Sequence, residues 1–341
     1  MENIEEIIKK LPEKWEETAK ETKAFVRARE IKTAMDFMQL IFMYIVHGLS
    51  LLEVAAIAKL KGMAKISDVA FMKRFGNCNE FFKEILKKLK PLATANYKKP
   101  KFLEKYRVKL ADVSAVVKGG KGKKTYHLHY AINPFEMKSE QYKITAESVG
   151  ESLTNFDVLA GDLYICDRAY GTKTSMKYCM AAGGDFIFRL KKGAFDIYGK
   201  KGNKVNIADK LRKLKEGKYL DWNCYFKDGK EFVPIRICAM KKPKNVKELD
   251  ETSTDTELMN NYIVVVTSLL KKKKISASQV LDAYRIRWQV ELYFKRLKSL
   301  LGFGEIPAKT NEHIETWLNA KLVSAILLEI EAGSVDFSPS G

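Results

Sequence analysis

The chain is poor in the residues that build thiolate and imidazole sites. It has only 4 histidines and 5 cysteines in 341 residues. Cys78, Cys166, Cys179, Cys224 and Cys238 are scattered, odd in number and never spaced as C-x2-C. That argues against a disulfide frame or a zinc site, and the cysteines read as reduced core thiols of a cytosolic protein. Long apolar runs are missing as well. The most apolar N-terminal stretch, 37–46, is too short to span a bilayer. Residues 1–10 are acidic and amphipathic, unlike a secretory signal. We therefore expect no membrane partner. Negative charge is the other deficit: 42 Asp plus Glu stand against 61 Lys plus Arg, a formal net charge of +19. An excess of that size points to a polyanionic partner, nucleic acid first. Apolar residues make up 46%, so a sizeable core can form, and the length suits two or three domains.

Residues 1–95 read as helical, with apolar residues at helical spacing over 31–58 and 71–89 and glycines 48, 62 and 76 as punctuation. Within them, 51–76 reads as two short helices joined by a turn, with Ser67 or Asp68 capping the second. A helix-turn-helix would turn Lys73 and Arg74 toward DNA phosphates. An ordinary helical bundle is the alternative. A basic stretch follows, with Lys98, Lys99, Lys101, Lys105, Arg107 and Lys109 against Glu104. We take 96–106 as a linker that is either solvated or follows a nucleic-acid backbone.

From 107 onward the pattern becomes strand-like. Strands are expected at 108–117, 125–132, 140–144, 162–166 and 186–190, with helices at 151–159 and 173–182. Residues 194–261 break the pattern and read as a β-rich insertion, since a structureless loop of that length is unlikely in a compact domain. A strand at 262–268, a long helix at 276–301 ended by Gly302, a final apolar helix at 314–330 and a tail at 331–341 complete the chain. The fold class is α/β, with a mixed-sheet core over 107–193 and 262–330. The strand and helix order matches a ribonuclease-H-like core.

Tyr284, Arg287, Glu291 and Lys298 follow the spacing Y-x2-R-x3-E-x6-K. At about 100° per residue these steps return to one helix face, which Lys295 shares. Taken alone, Glu291 with Lys295 is an ordinary surface pair. Two further acids stand out. Asp112 interrupts an apolar strand, where an unpaired carboxylate is costly to bury. Asp167 follows a buried strand, at the end where an open α/β sheet exposes functional groups. Three such carboxylates are what phosphodiester chemistry with two Mg2+ ions requires. His127 and His129 share one face of a strand and read as structural histidines.

The Tyr-Arg-Glu-Lys spacing resembles the signature of DDE transposases of bacterial insertion sequences, in the insertion-sequence-four family. Asp167-Arg168-Ala169-Tyr170 is similar to the Asp-Arg-x-Tyr segment around that family's second aspartate, with Ala169 in place of the usual glycine. Asp112 matches its first aspartate, although Val113 stands where a glycine is usual. The resemblance implies a ribonuclease-H-like catalytic core with a β-rich insertion, preceded by an all-helical DNA-binding region. It implies that Asp112, Asp167 and Glu291 hold two Mg2+ ions, for which Mn2+ can substitute. It further implies that Tyr284, Arg287 and Lys298 contact the transposon-end strand. Lys295 is added on its shared face, and Trp288 either stacks on an unpaired base or lies in the core. The implied partners are double-stranded DNA, as terminal inverted repeats and as target, and a second copy of the chain in a homodimer. The implied place is the bacterial cytoplasm, at the nucleoid. The implied reactions are end cleavage through a hairpin and strand transfer. A nuclease of the same core that cuts without joining, and a domesticated DNA binder without catalysis, remain open.

Overall fold

The computed structural model of the protein describes residues 4–26, 30–89, 99–118, 124–135, 138–242, 254–288, 305–306 and 311–333. They fall into two compact units. One comprises Met1–Ala95, Val116–Tyr126 and Phe294–Gly341, and the other Asn96–Ala115 and His127–Tyr293.

In the first unit, helices α1 (Ile4–Ile8), α2 (Trp15–Glu21), α3 (Ala34–Ile45), α4 (Leu51–Leu60), α5 (Asp68–Gly76) and α6 (Asn79–Lys88) precede a C-terminal helix, Asn311–Gly333. Polar residues set the helix starts. Ser50 and Glu53 form a capping box on α4, and the Ser67 hydroxyl accepts from Ala70 N at the start of α5, satisfying amides that lack a helical partner. The helices α4 and α5 pack together around buried rings of α3, α5 and α6. Phe75 meets Tyr44 edge-on at 5.5 Å, and Phe81 meets Phe82 at 5.2 Å. The C-terminal helix joins this unit rather than the sheet because its polar residues bond to α5 and α6. Asn319 donates to Asn79 at 2.7 Å and Thr316 to Gly76 O at 3.2 Å. Gly76 permits that approach, since a Cβ there would lie 2.4 Å from His313 Nε2.

The second unit is built on a mixed sheet. Its strands are β1 (Arg107–Lys118), β2 (Lys124–Asn133), β3 (Lys138–Ala146), β4 (Asp162–Cys166), β5 (Asp185–Arg189), β6 (Ile197–Tyr198), β7 (Tyr219–Asp228), β8 (Glu231–Lys241) and β9 (Tyr262–Thr267), in the order β3-β2-β1-β4-β5-β9-β8-β7-β6. A short β10 (Glu305–Ile306) pairs with the far end of β1, at Val117 and Lys118, within the first unit. Strands β1, β4 and β5 run parallel, and β5 through β6 are successively antiparallel. Helices α7 (Lys173–Ala181), α8 (Ile207–Arg212), α9 (Asp255–Asn260) and α10 (Ala277–Arg285) connect them. The strands of 194–261 thus extend the core sheet beyond β9. Gly229, at φ 58°, makes the tight β7–β8 turn, a conformation that a side chain disfavours.

Three sequence expectations change. The helix expected at 151–159 is only a 3-10 turn at Leu153–Asn155, because Ser152 and Asn155 bond to the local backbone instead. The helix expected at 276–301 is regular over Ala277–Arg285, turns at Ile286 and Arg287, and is helical again at Trp288, the last described residue of this stretch. Its continuation, with Gly302, lies outside the described residues. Arg107 and Lys109, counted above with the basic segment, lie in β1 and face Asp162. Arg107 Nε donates to Asp162 Oδ1 at 2.8 Å, and Lys109 Nζ donates to Oδ2 at 2.9 Å. Asp162 also accepts from Leu159 N. Lys109 is 3% exposed and Asp162 is 0% exposed, so both charges are compensated inside the sheet.

Among the described residues, no helix is long and apolar enough to cross a membrane. All five cysteines are free and buried. Burial pushes the thiols of Cys179, Cys224 and Cys238 up to about 12. A thiolate is the reactive form, so Ellman's reagent at pH 8 is expected to leave all five unmodified in the native protein and to label them after unfolding in guanidinium. Removing one partner of the buried ion pair, as in Asp162→Ala, is expected to cost about 3–5 kcal/mol in urea melts. Lys109→Met combined with Asp162→Leu, which removes both charges, should cost less.

Candidate active site

The parallel register assembles the site. Ala111 lies opposite Cys166, and Cys166 opposite Phe188. The next residue on each strand is Asp112 on β1, Asp167 after β4 and Arg189 on β5. Two carboxylates and a guanidinium therefore lie side by side across three adjacent strands, Asp112 within β1, Asp167 just past the carboxyl end of β4 and Arg189 at that of β5, and strand carboxyl ends are where α/β sheets bind ligands. Asp112, Asp167 and Arg189 are all half-buried.

Each aspartate has a tyrosine partner. The Tyr130 hydroxyl bonds to Asp112; burial first, then that carboxylate, pushes the phenol far above its ordinary range. The Tyr284 hydroxyl, on α10, lies 3.4 Å from Asp167 Oδ1. Burial raises the Tyr284 phenol, while the Arg287 and Arg189 charges oppose that shift. Such donors fix the orientation of carboxylates that bind a cation.

Arg287 follows two residues after the end of α10. The ladder contact Arg287 N to Tyr284 O at 3.1 Å keeps it one turn beyond Tyr284, with its guanidinium 5.8 Å from the Tyr284 ring. The two residues thus stay neighbours although the regular helix stops between them. Trp288 is 63% exposed, which removes the reading of it as a core residue. Glu291, Lys295 and Lys298 lie outside the described residues. In the first unit Lys73 is exposed, whereas the Arg74 guanidinium lies over the Phe25 and Phe37 rings, at 5.4 and 5.0 Å.

Sequence reasoning missed several members of this site. Glu151, on the β3–β4 connection, is half-buried. Burial first, then the charges of Asp112 and Asp167, raises its carboxyl, and His127 opposes the shift. Arg189 carries a signal that register makes visible, being a cation at a strand end beside a strand-end aspartate. Lys242, just past β8, has its ammonium lowered by burial and by the charges of Arg189 and Arg168. Those three cations form a positive flank suited to phosphate oxygens. Among the described residues, no three His, Cys, Asp or Glu side chains converge to hold one metal ion. The donors at the strand ends are oxygens throughout, the set that a hard cation such as Mg2+ or Mn2+ takes.

Both β2 histidines are engaged structurally. His127 Nδ1 meets Val149 O at 2.9 Å, and His129 Nε2 meets Thr145 Oγ1 at 2.8 Å. The Thr145 hydroxyl donates to Ala146 O and Asn155 Nδ2 approaches His129 Nδ1. Neutral His129 with its proton on Nε2 therefore satisfies every contact, and a second proton on Nδ1 would face an amide donor. Burial, then the charges of His127 and Lys143, lowers His129 to about 4. The unfolded chain binds this proton near pH 6.5 and the native chain does not until about pH 4. Stability is therefore expected to fall as pH drops through that window, by at most about 3 kcal/mol from this group. Urea melts at pH 7 and pH 5 should show a smaller loss in His129→Gln than in the wild type.

A family model described as the transposase DDE domain matches residues 94–327. The putative transposase InsL for insertion sequence element IS186A of Escherichia coli (strain K12) is 30% identical over 96% of this chain and 93% of its own length. The transposase for insertion sequence element IS421 of Escherichia coli is 29% identical over 96% of this chain and 93% of its own. The transposase for insertion sequence element IS231F of Bacillus thuringiensis subsp. israelensis is 26% identical over 49% of this chain and 41% of its own. With a family match over most of its length and near full-length relatives of that kind, the chain belongs to the DDE transposases of bacterial insertion sequences.

Proposed function

We propose that the protein is a transposase of the insertion-sequence-four kind that cuts the terminal inverted repeats of its element and joins the freed ends to target DNA. The observation that carries this reading is the strand register that leaves Asp112 and Asp167 side by side. In it, Asp112, Asp167 and Glu291 hold two Mg2+ ions. Two Mg2+ ions held there would supply activation of the attacking water or 3′-hydroxyl and stabilisation of the leaving oxygen. Tyr130 and Tyr284 keep the two aspartates aimed at the site, so the role of Tyr284 is orientation of Asp167 as much as contact with the transposon end. Arg189, Arg168 and Lys242 grip phosphates, and so do Arg287, Lys295 and Lys298. The exposed Trp288 stacks on an unpaired base.

The freed 3′-hydroxyl attacks the opposite strand, closing a hairpin as the flanking strand's 3′-oxygen leaves; water then opens the hairpin, and the regenerated 3′-hydroxyl attacks the target, displacing a target 3′-oxygen. Two copies of the chain act together at paired ends, at the nucleoid in the cytoplasm. A ribonuclease-H-like core over 107–193 and 262–330, with 194–261 inserted, is the matching domain reading. The strand order β3-β2-β1-β4-β5 supports it. The region 1–95 binds DNA through 51–76, with Lys73 among its exposed cations and Arg74 next to it in sequence. The excess of 61 Lys plus Arg over 42 Asp plus Glu supports a DNA partner.

The test is strand transfer by the full chain on duplex DNA carrying the element's own ends. Alanine at Asp112, Asp167 or Glu291 is expected to lower cutting and joining by about 10^3-fold or more, with end binding retained. Cutting that persists in all three variants would sink the assignment. Wild-type nicking without joining would indicate a nuclease, and binding without cleavage a regulator.

A further inference from the structure

Arg236, in the middle of β8, is 0% exposed and has no part in the reaction as set out above. Register places its partner. Arg236 lies opposite Asn223 on β7, and residues two places apart on a strand point to the same face. Asp221 therefore shares the face of Arg236, and the two meet as a fork. Arg236 Nε donates to Asp221 Oδ1 and Nη2 donates to Oδ2, both at 2.8 Å.

The rest of the guanidinium reaches the backbone. Nη1 donates to Leu269 O at 2.9 Å and to Ile275 O at 2.8 Å. These carbonyls stand at the two ends of the loop between β9 and α10, so a single side chain pinches that loop shut. Two further bonds tie the loop to β7. Lys272 Nζ donates to Asp221 O at 2.6 Å, and Asn223 Nδ2 donates to Leu270 O at 3.3 Å. Ile275 is followed directly by Ser276, whose hydroxyl caps α10 by accepting from Gln279 N. Strands β7 and β8 thus fix the place where α10 starts.

Helix α10 is the element that delivers Tyr284, whose hydroxyl lies 3.4 Å from Asp167 Oδ1. Tyr284 stands about 12 Å along the helix from Ser276. A shift at the helix start carries Tyr284 away from Asp167, together with Arg287 one turn beyond. For stability alone, apolar residues of similar volume often serve as well as a buried ion pair. They could not supply directed bonds to the loop carbonyls.

We propose that Arg236 and Asp221 are positioning residues for DNA cleavage, setting the start of α10 and so keeping Tyr284 and Arg287 at Asp167; this rests on the reading of those three as site residues. The 194–261 region then serves the reaction from outside the site, through the helix it anchors.

The experiment compares full-chain variants on duplex DNA carrying the element's own ends. It reads the cutting rate at saturating protein, the affinity for the ends, and hydrogen exchange of the α10 amides. Arg236→Lys keeps a cation beside Asp221 but cannot bridge a carboxylate and two carbonyls at once. It is expected to cut about tenfold to a hundredfold more slowly and to bind the ends as the wild type does. Exchange should quicken over 277–285 and stay unchanged over 162–166. Ile235→Val, in the core on the other face of β8, measures the effect of lost stability alone and should cut at the wild-type rate. Lys272→Gln, at an exposed position, removes one tie of the same clamp and should slow cutting about threefold. A folded Arg236→Lys that slows no more than Ile235→Val, or slows only through weaker end binding, would overturn the proposal and leave the transposase reading standing. If Arg236→Lys does not fold, a wild-type rate in Lys272→Gln is the overturning result. A wild type that does not cut would overturn the transposase reading, and the proposal with it.

Discussion

A buried salt bridge between neighbouring strands sets the geometry on which the site depends. Arg107 and Asp162 are register partners at the start of the β1–β4 ladder, and Lys109 reaches the other oxygen of the same carboxylate. Five residues further along both strands, the same register delivers Asp112 beside Asp167. A slip of one residue would send one aspartate to the opposite face of the sheet. The charges at one end of the strands thus guard the alignment of the charges at the other. They are buried where they lie, whereas the aspartates are half-buried, Asp112 within β1 and Asp167 just past β4.

The electrostatics of the strand ends divide into two halves. Asp112, Asp167 and Glu151 concentrate negative charge in a half-buried place, while Arg189, Arg168 and Lys242 gather beside it. Phosphodiester chemistry has the same division, with an acid side for cations and a basic side for the phosphate. Tyrosine hydroxyls help to hold both aspartates in place. They constrain direction without neutralising the carboxylates.

How much of this was legible in the sequence depended on whether a residue's meaning lay in local pattern. Asp112 and Asp167 were legible because a carboxylate within or just after an apolar strand has few inert explanations. The Tyr284 and Arg287 spacing was legible because it counts turns, and it holds although α10 ends at Arg285. Lys109 misled because charge summed along a segment ignores the alternation of a strand, which turned this lysine inward. Glu151 was invisible for another reason. Its position comes from contacts with β2 and α7, far along the chain, and its neighbours read as helix formers. Arg189 needed the pairing of β4 with β5 before it stood beside Asp167.

The sheet ends at β6, a strand of two residues, Ile197 and Tyr198. Three lysines follow closely, at 200, 201 and 204. A margin so short and so positively charged offers little template for an incoming strand. A chain built around a broad sheet thereby keeps that flank from seeding fibres.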